Sequence, residues 1–247
     1  MLTKRERERY DRQILIPEIG MKGQERLKKA KVLIAGSGGL GSPVSFYLAA
    51  AGIGTIRIVD YDVVDISNLN RQILHWDGDI GRKKVDSAFD KLSRLNPSIN
   101  IDTVNDRIDK DNLSKVVEGC DMIVDAMDNF QTRYLLNRVA IKRKIPFFYG
   151  AVRGFEGRAM TVIPDKTACL MCMYKGPVPE EKSPVMGVAP AVIGAIQATE
   201  VIKYITGVGQ LLENRILHFD GLDMTFKEFK INRNPQCIHC GNIERKE

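Results

Sequence analysis

The feature that most constrains this chain is Gly36-Ser-Gly-Gly-Leu-Gly41, a glycine turn between the apolar run 31–35 and a helix-like segment at 40–51. A buried strand that turns through glycines into a helix lets backbone amides approach a phosphate closely, and the helix N-terminus adds partial positive charge. In a dinucleotide site an acid about 20 residues further on holds the ribose hydroxyls. Asp60 closes the next apolar run, 55–59, at a suitable distance. By itself the turn suits many nucleotide enzymes, a nicotinamide dehydrogenase among them. The motifs beyond it fit a dehydrogenase poorly: Asp60-Tyr-Asp62, then Ser67-Asn-Leu-Asn-Arg71-Gln72, then Gly81-Arg-Lys-Lys84.

Strand and helix patterns alternate around the turn. Strands are expected at 32–36, 55–60, 99–105 and 122–126, with helices near 40–51, 83–95 and 109–118 between them. Such alternation predicts parallel βαβ units with helices on both faces. The charged stretch 4–29, interrupted at Pro17, Gly20 and Gly23, predicts two short helices ahead of the sheet. After a helix near 131–144 the style changes to strands at 147–153 and 158–163, an irregular stretch at 164–187, a helix at 190–205 and an antiparallel pair at 215–220 and 224–231. The expected fold class is α/β: a Rossmann-like, largely parallel sheet with helices on both faces, continued by antiparallel C-terminal strands. One domain is expected over 1–247, comprising N-terminal helices (1–29), a nucleotide-binding part (30–150) and an antiparallel extension (151–247).

With 247 residues the chain can bury a substantial core. No run is expected to reach the roughly 18 to 20 apolar residues of a membrane span, and the first ten residues lack an apolar signal region. The expectation is a cytoplasmic protein that engages no membrane. A net charge of +6 with both signs interspersed is a mild signal, read as a solvated surface rather than a nucleic-acid footprint.

Ligands of such sheets lie at the carboxyl ends of the strands where strand order reverses. Gly36, Asp60 and the stretch Asp125-Ala-Met-Asp-Asn129 gather there. Asp128 has two readings on spacing alone: a Mg²⁺ ligand beside phosphates, or a cap for the helix starting near Phe130. Arg82, Lys83 and Lys84 open a helix where the macrodipole disfavours cations, which suggests a compensating anion. Arg82 and Lys83 read as solvent-facing, whereas Arg71 offers a bidentate fork and Lys84 a point charge for phosphate oxygens.

The cysteines give a second signal: Cys169-Leu-Met-Cys172 and Cys237-Ile-His-Cys240. Two such pairs match a closed, structural four-thiolate zinc site, which would tie the end of the chain to the loop after Ile163. His239 lies inside the second pair and reads as a bystander, since four thiolates suffice. Cys120 reads as a small buried hydrophobe rather than a nucleophile.

Taken together, the glycine turn, Asp60-Tyr-Asp62, Ser67-Asn-Leu-Asn-Arg-Gln72, Gly81-Arg-Lys-Lys84, Asp125-Ala-Met-Asp-Asn129 and the paired cysteines resemble the HesA/MoeB/ThiF family of adenylyltransferases, relatives of ubiquitin-activating enzymes. Arg9-Tyr-Asp-Arg-Gln13 resembles the family's N-terminal motif, so the resemblance spans nearly the whole chain. It implies an ATP site with Mg²⁺ and a structural Zn²⁺ on Cys169, Cys172, Cys237 and Cys240. It also implies activation of the Gly-Gly C-terminus of a ubiquitin-like sulfur-carrier protein as an acyl adenylate, with release of pyrophosphate. On matching positions, Gly36, Gly39 and Gly41 line the nucleotide and Asp60 holds the ribose. Asn68, Arg71 and Lys84 contact phosphates, Asp128 ligates Mg²⁺ with Asn129 beside it, and Asp62 and Gln72 lie in the same motifs. Arg12 reaches the site of the other subunit in a homodimer. Arg71, Lys84, Asp128 and Arg12 are the catalytic candidates.

One departure stands out. Many relatives in that family carry a cysteine in the loop before the late helix, which takes a thioester or persulfide, but here that crossover loop, 176–187, contains none. The expectation is therefore an enzyme that stops at the adenylate. Two alternatives stay open: adenylation of a small-molecule carboxylate in cofactor biosynthesis, and a nucleotide-binding scaffold without turnover.

Overall fold

The computed structural model describes residues 1–174 and 184–241; residues 176–183 of the expected crossover loop lie outside them. Three helices, not two, precede the sheet: α1 (Lys4–Arg9), α2 (Asp11–Ile14) and α3 (Gly20–Lys29). The extra break falls at Tyr10, whose backbone ends α1, while Thr3 and Glu6 fix the start of that helix as a reciprocal capping box.

The chain continues through β1 (Lys31–Ala35), α4 (Gly41–Ala51), β2 (Thr55–Val59), α5 (Lys84–Leu95), β3 (Asn100–Val104), α6 (Leu113–Val117), β4 (Met122–Asp125) and α7 (Phe130–Arg143). It ends with β5 (Phe147–Arg153), β6 (Glu156–Val162), α8 (Leu170–Tyr174), α9 (Val188–Thr206), β7 (Arg215–Asp220) and β8 (Thr225–Lys230). Helix α6 is shorter than its pattern suggests. The Asp109 carboxylate accepts the amides of Asp111 and Asn112 in a local turn, which competes with helix over those residues. Strand β6 starts earlier than expected because Arg153 pairs with Glu156 across a two-residue hairpin turn.

The sheet has 8 strands in the order β3-β2-β1-β4-β5-β6-β7-β8. From β3 to β5 the pairings are parallel, and from β5 to β8 antiparallel. The order reverses between β1 and β4, which opens a crevice at their carboxyl ends. The alternating side chains of the central strands feed two cores: Val32, Ile34, Ile56 and Ile58 pack with α4, α5 and α9, whereas Leu33, Ile123 and Phe147 pack with α6 and α7.

By length and composition α9 would pass for a membrane span, against the expectation that no run approaches one. Its apolar character has a different cause. The helix packs against β5, β6, α3 and α4 and so is covered on several sides.

Candidate functional site

The glycine turn leaves the carboxyl end of β1 and enters α4. Gly36 adopts φ +98°, and a Cβ there would meet the Ala126 carbonyl at 2.8 Å. At Gly41 a Cβ would stand 2.0 Å from the Gly36 carbonyl, so the turn closes on itself too tightly for any side chain. Gly39 faces Pro190 of α9 on one side and Arg71 on the other.

Asp60 directly follows β2. Its Oδ2 accepts from the Ser37 amide and the Ser37 hydroxyl, both at 2.8 Å, and its Oδ1 accepts from the Asp62 amide at 3.0 Å. The acid expected to hold ribose is thereby docked on the turn itself. Asp62 pairs with Lys84 at 2.8 Å; Lys84 is 5% exposed, at the first position of α5. Cations at this helix start are matched by carboxylates within the fold, since Arg82 pairs with Asp79 and Asp90. The anion inferred from the broken dipole rule is thus at least partly the protein's own.

Between Asp62 and Lys84 the chain folds over the turn. Asn68 sits in a 3-10 turn, where its Oδ1 accepts from the Asp65 amide. Arg71 lies beside Gly39 and steadies itself on the Ser67 carbonyl at 2.8 Å. Gln72 is buried against Gly38, and its Oε1 has no hydrogen-bond partner among the described residues.

Across the crevice, β4 ends at Asp125. Asn129, not Asp128, caps α7: its Oδ1 accepts the Thr132 amide at 2.8 Å. This removes the capping reading of Asp128, which is exposed and has its Oδ1 3.5 Å from Asn129 Nδ2. An exposed carboxylate close to the glycine turn fits a hard, oxygen-seeking cation.

Two groups have surroundings that sequence reasoning did not foresee. Asp125 is 0% exposed; one oxygen takes the Met127 amide at 3.0 Å, and the other lies 3.6 Å from Arg133 Nε with no hydrogen bond. Burial raises its pKa to about 6 against the pull of Arg133. Arg133 in turn grips the Met127 carbonyl next to Asp128. His75 is 3% exposed beneath the glycine turn, hydrogen-bonded to Ser37 and Ser87. Neither pairing follows any spacing rule, because each joins residues from separate elements.

Arg12 stays apart from this group. Its neighbour Gln13 lines a groove with Tyr47, Ala50 and Ala51 at the far end of α4 from Gly41, roughly 15 Å along the axis at 1.5 Å per residue.

The four cysteines do converge. Cys169, Cys172, Cys237 and Cys240 are buried, with all Sγ atoms within 4.8 Å of one another. The Cys169–Cys237 and Cys172–Cys240 separations are 3.7 and 3.4 Å, close to the ~3.8 Å edge of a tetrahedron with 2.3 Å Zn–S bonds. Hydrogen bonds from its neighbours, Cys169 first, lower the Cys240 thiol to about 5. The Asn234 amide points at Cys172 Sγ, and Asn137 spans His239 and the Leu170 amide, bracing both pairs from α7. This all-thiol set suits zinc.

Comparison with protein families matches residues 10–239 to the ThiF family. The chain belongs to the ThiF family. Among ThiF-family relatives, the SAMP-activating enzyme E1 of Haloferax volcanii is 44% identical over 240 residues, covering 95% of this chain and 88% of that protein. The sulfur carrier protein adenylyltransferase of Thermus thermophilus is 38% identical over 251 residues, covering 97% and 93%. In structure, E. coli MccB crystallised with MccA-N7isoASN superposes with a TM-score of 0.87 at 25% identity, over 98% of this chain and 76% of that one. MccB crystallised with ATP gives 0.81 at 26% identity, over 89% and 68%. The ThiF match thus runs from the residue after α1 through the glycine turn and as far as the second cysteine pair, stopping one residue short of Cys240.

Proposed function

We propose that this ThiF-family nucleotidyltransferase uses ATP to adenylate the C-terminal carboxylate of a ubiquitin-like sulfur-carrier protein and releases pyrophosphate. The observation that carries the reading is the cradle itself. Among the described residues the amides of Gly38, Gly39, Leu40 and Gly41 donate to no protein acceptor, and Arg71, Lys84 and Asp128 flank them. Both relatives named above span nearly the full chain, and one is called a sulfur carrier protein adenylyltransferase.

In the reaction a carboxylate oxygen attacks the α-phosphorus, the bond to the bridging oxygen breaks, and its electron pair leaves on pyrophosphate. The attacking carboxylate is already ionised near neutral pH, so no general base is required. The protein's task is to bring two anions together and to spread the charge that develops. Gly36, Gly39 and Gly41 shape the cradle, Asn68, Arg71 and Lys84 address phosphate oxygens, and Asp60 holds the ribose. Gln72, whose amide nitrogen lies beside Gly38, and Asp62, already holding Lys84, complete the wall. Asp128, with Asn129 beside it, would hold Mg²⁺, which supplies charge neutralisation on the phosphates when bound. Arg12, next to Gln13 at the far end of α4 from the glycine turn, serves the site of a second copy in a homodimer. The thiol cluster would hold a structural Zn²⁺.

The chain stops at the adenylate. Of its five cysteines, four form the cluster; Cys120 is buried just before β4, at the opposite end of that strand from the cradle. Burial raises its thiol pKa, which opposes a nucleophilic role.

The test is ATP–pyrophosphate exchange with carriers ending in Gly-Gly and then with small carboxylic acids. Carrier-dependent exchange is expected. Exchange with a small acid alone would replace this reading with small-molecule adenylation, and nucleotide binding without any exchange would leave a scaffold.

A further inference from the structure

The unpaired amides of the glycine turn must be aimed by something, and the aim is set from the opposite side of each peptide unit. A trans peptide is planar, with its C=O and N–H pointing in opposite directions. Whatever grips the Gly38 carbonyl therefore directs the Gly39 amide, and whatever grips the Ser37 carbonyl directs the Gly38 amide. Ser42 holds the Gly38 carbonyl, through its amide at 2.9 Å and its hydroxyl at 2.7 Å. The Ser37 carbonyl receives a longer 3.4 Å contact from the same hydroxyl and a 3.0 Å hydrogen bond from His75 Nε2.

A carbonyl cannot donate, so Nε2 carries the ring proton. Nδ1 is then a bare acceptor, and the Ser87 hydroxyl donates to it at 2.9 Å. The Ser87 oxygen accepts in turn from Lys91 Nζ at 2.8 Å, and Lys91 is paired with Asp79. Proton directions agree along the whole row for a neutral imidazole in this tautomer. Burial drives the ring's pKa down to about 4, with Lys84 and Lys91 acting in the same sense against the Ser37 hydrogen bond and Asp60.

We infer that His75 is a positioning residue for the phosphate cradle: Nε2–H holds the Ser37 carbonyl so that the next amide faces the nucleotide, and Nδ1 fastens the turn to α5. Ser87 lies one helical turn beyond Lys84, so the same ring sets the distance between the amides and the lysine that share the phosphates. The inference rests on the ATP reading above.

Calorimetric titration of the full chain with ATP and Mg²⁺ tests it. His75→Leu is expected to weaken ATP binding about tenfold, the effect of one lost buried hydrogen bond, while His75→Gln, whose amide can donate to the Ser37 carbonyl, stays within about threefold of the wild type. Should His75→Leu fold poorly, Ser87→Ala keeps the ring but frees it to tilt, with an expected loss of about threefold. Nitrogen-15 NMR of the wild-type ring reads the tautomer directly, with Nε2 protonated and Nδ1 bare. Undiminished affinity in His75→Leu, a His75→Gln as weak as His75→Leu, or the reverse tautomer overturns the inference and leaves the ATP reading in place. A wild type that binds no ATP overturns that reading, and this one with it.

Discussion

At the residue scale, Lys84 and Asp125 show how differently two buried charges can be treated. Lys84 keeps a partner, Asp62, that is itself 47% exposed. Removing the lysine therefore leaves a carboxylate in water rather than a stranded buried charge. Lys84→Ala should lower pyrophosphate exchange at least ~100-fold, as loss of a charge-stabilising group does, with its melting temperature nearly unchanged; retained exchange would reject the phosphate role. Asp125 and His75 bend the pH dependence of stability in opposite senses. The His75 ring falls from 6.5 to about 4 on folding, so the unfolded chain takes up its proton first, and stability is lost as pH drops from 6.5 towards 4. Asp125 rises from 3.8 to about 6; the folded chain takes up this proton first, and stability is gained as pH drops from 6 towards 4. Each effect is on the order of 3 kcal/mol, so they nearly cancel. Asp125→Asn removes only the gain. Its urea midpoint should fall more steeply than that of the wild type between pH 6.5 and 4, and parallel curves would contradict the assignment.

At the scale of elements, the alternating βα pattern was readable because strands buried on both faces are apolar runs bounded by turn residues. The edges of β5 and β7 fall where the pattern puts them. Misjudged elements were those in which side chains compete with the backbone: Asp109 shortens α6, and α8 hides within the spacing of Cys169 and Cys172. The cradle was legible because glycines, acids and cations lie in short motifs. His75 was not, since its meaning depends on Ser37 and Ser87, which sequence alone does not bring together. The thiol cluster joins α8 to the stretch after β8, where few other apolar groups hold the chain. If the cluster holds the proposed zinc, treatment with a chelator, or Cys240→Ser, should lower the melting temperature by about 5–10 °C. Metal analysis well below one zinc per chain, with no response to chelator, would argue against a zinc site.

For the molecule as a whole, if Arg12 serves the cradle of a second copy as proposed, two defective chains should complement each other. Mixing Arg12→Ala with Lys84→Ala protein, each inactive alone, should restore about a quarter of wild-type exchange, because half the dimers are hybrid and each hybrid has one complete site. No recovery would mean that Arg12 acts elsewhere. We also expect residues 1–247 to unfold as one unit, since α9 covers both the nucleotide half and the antiparallel half; separate transitions by calorimetry would divide it. Pro190 faces Gly39, and Gly194 touches Leu40 and Pro43, so the support of the glycine turn is synthesised long after the turn itself. A ribosome thus releases the glycine turn with Asp60 and His75 at hand but without the α9 face that backs it, and that late helix must close on the turn before its packing is complete.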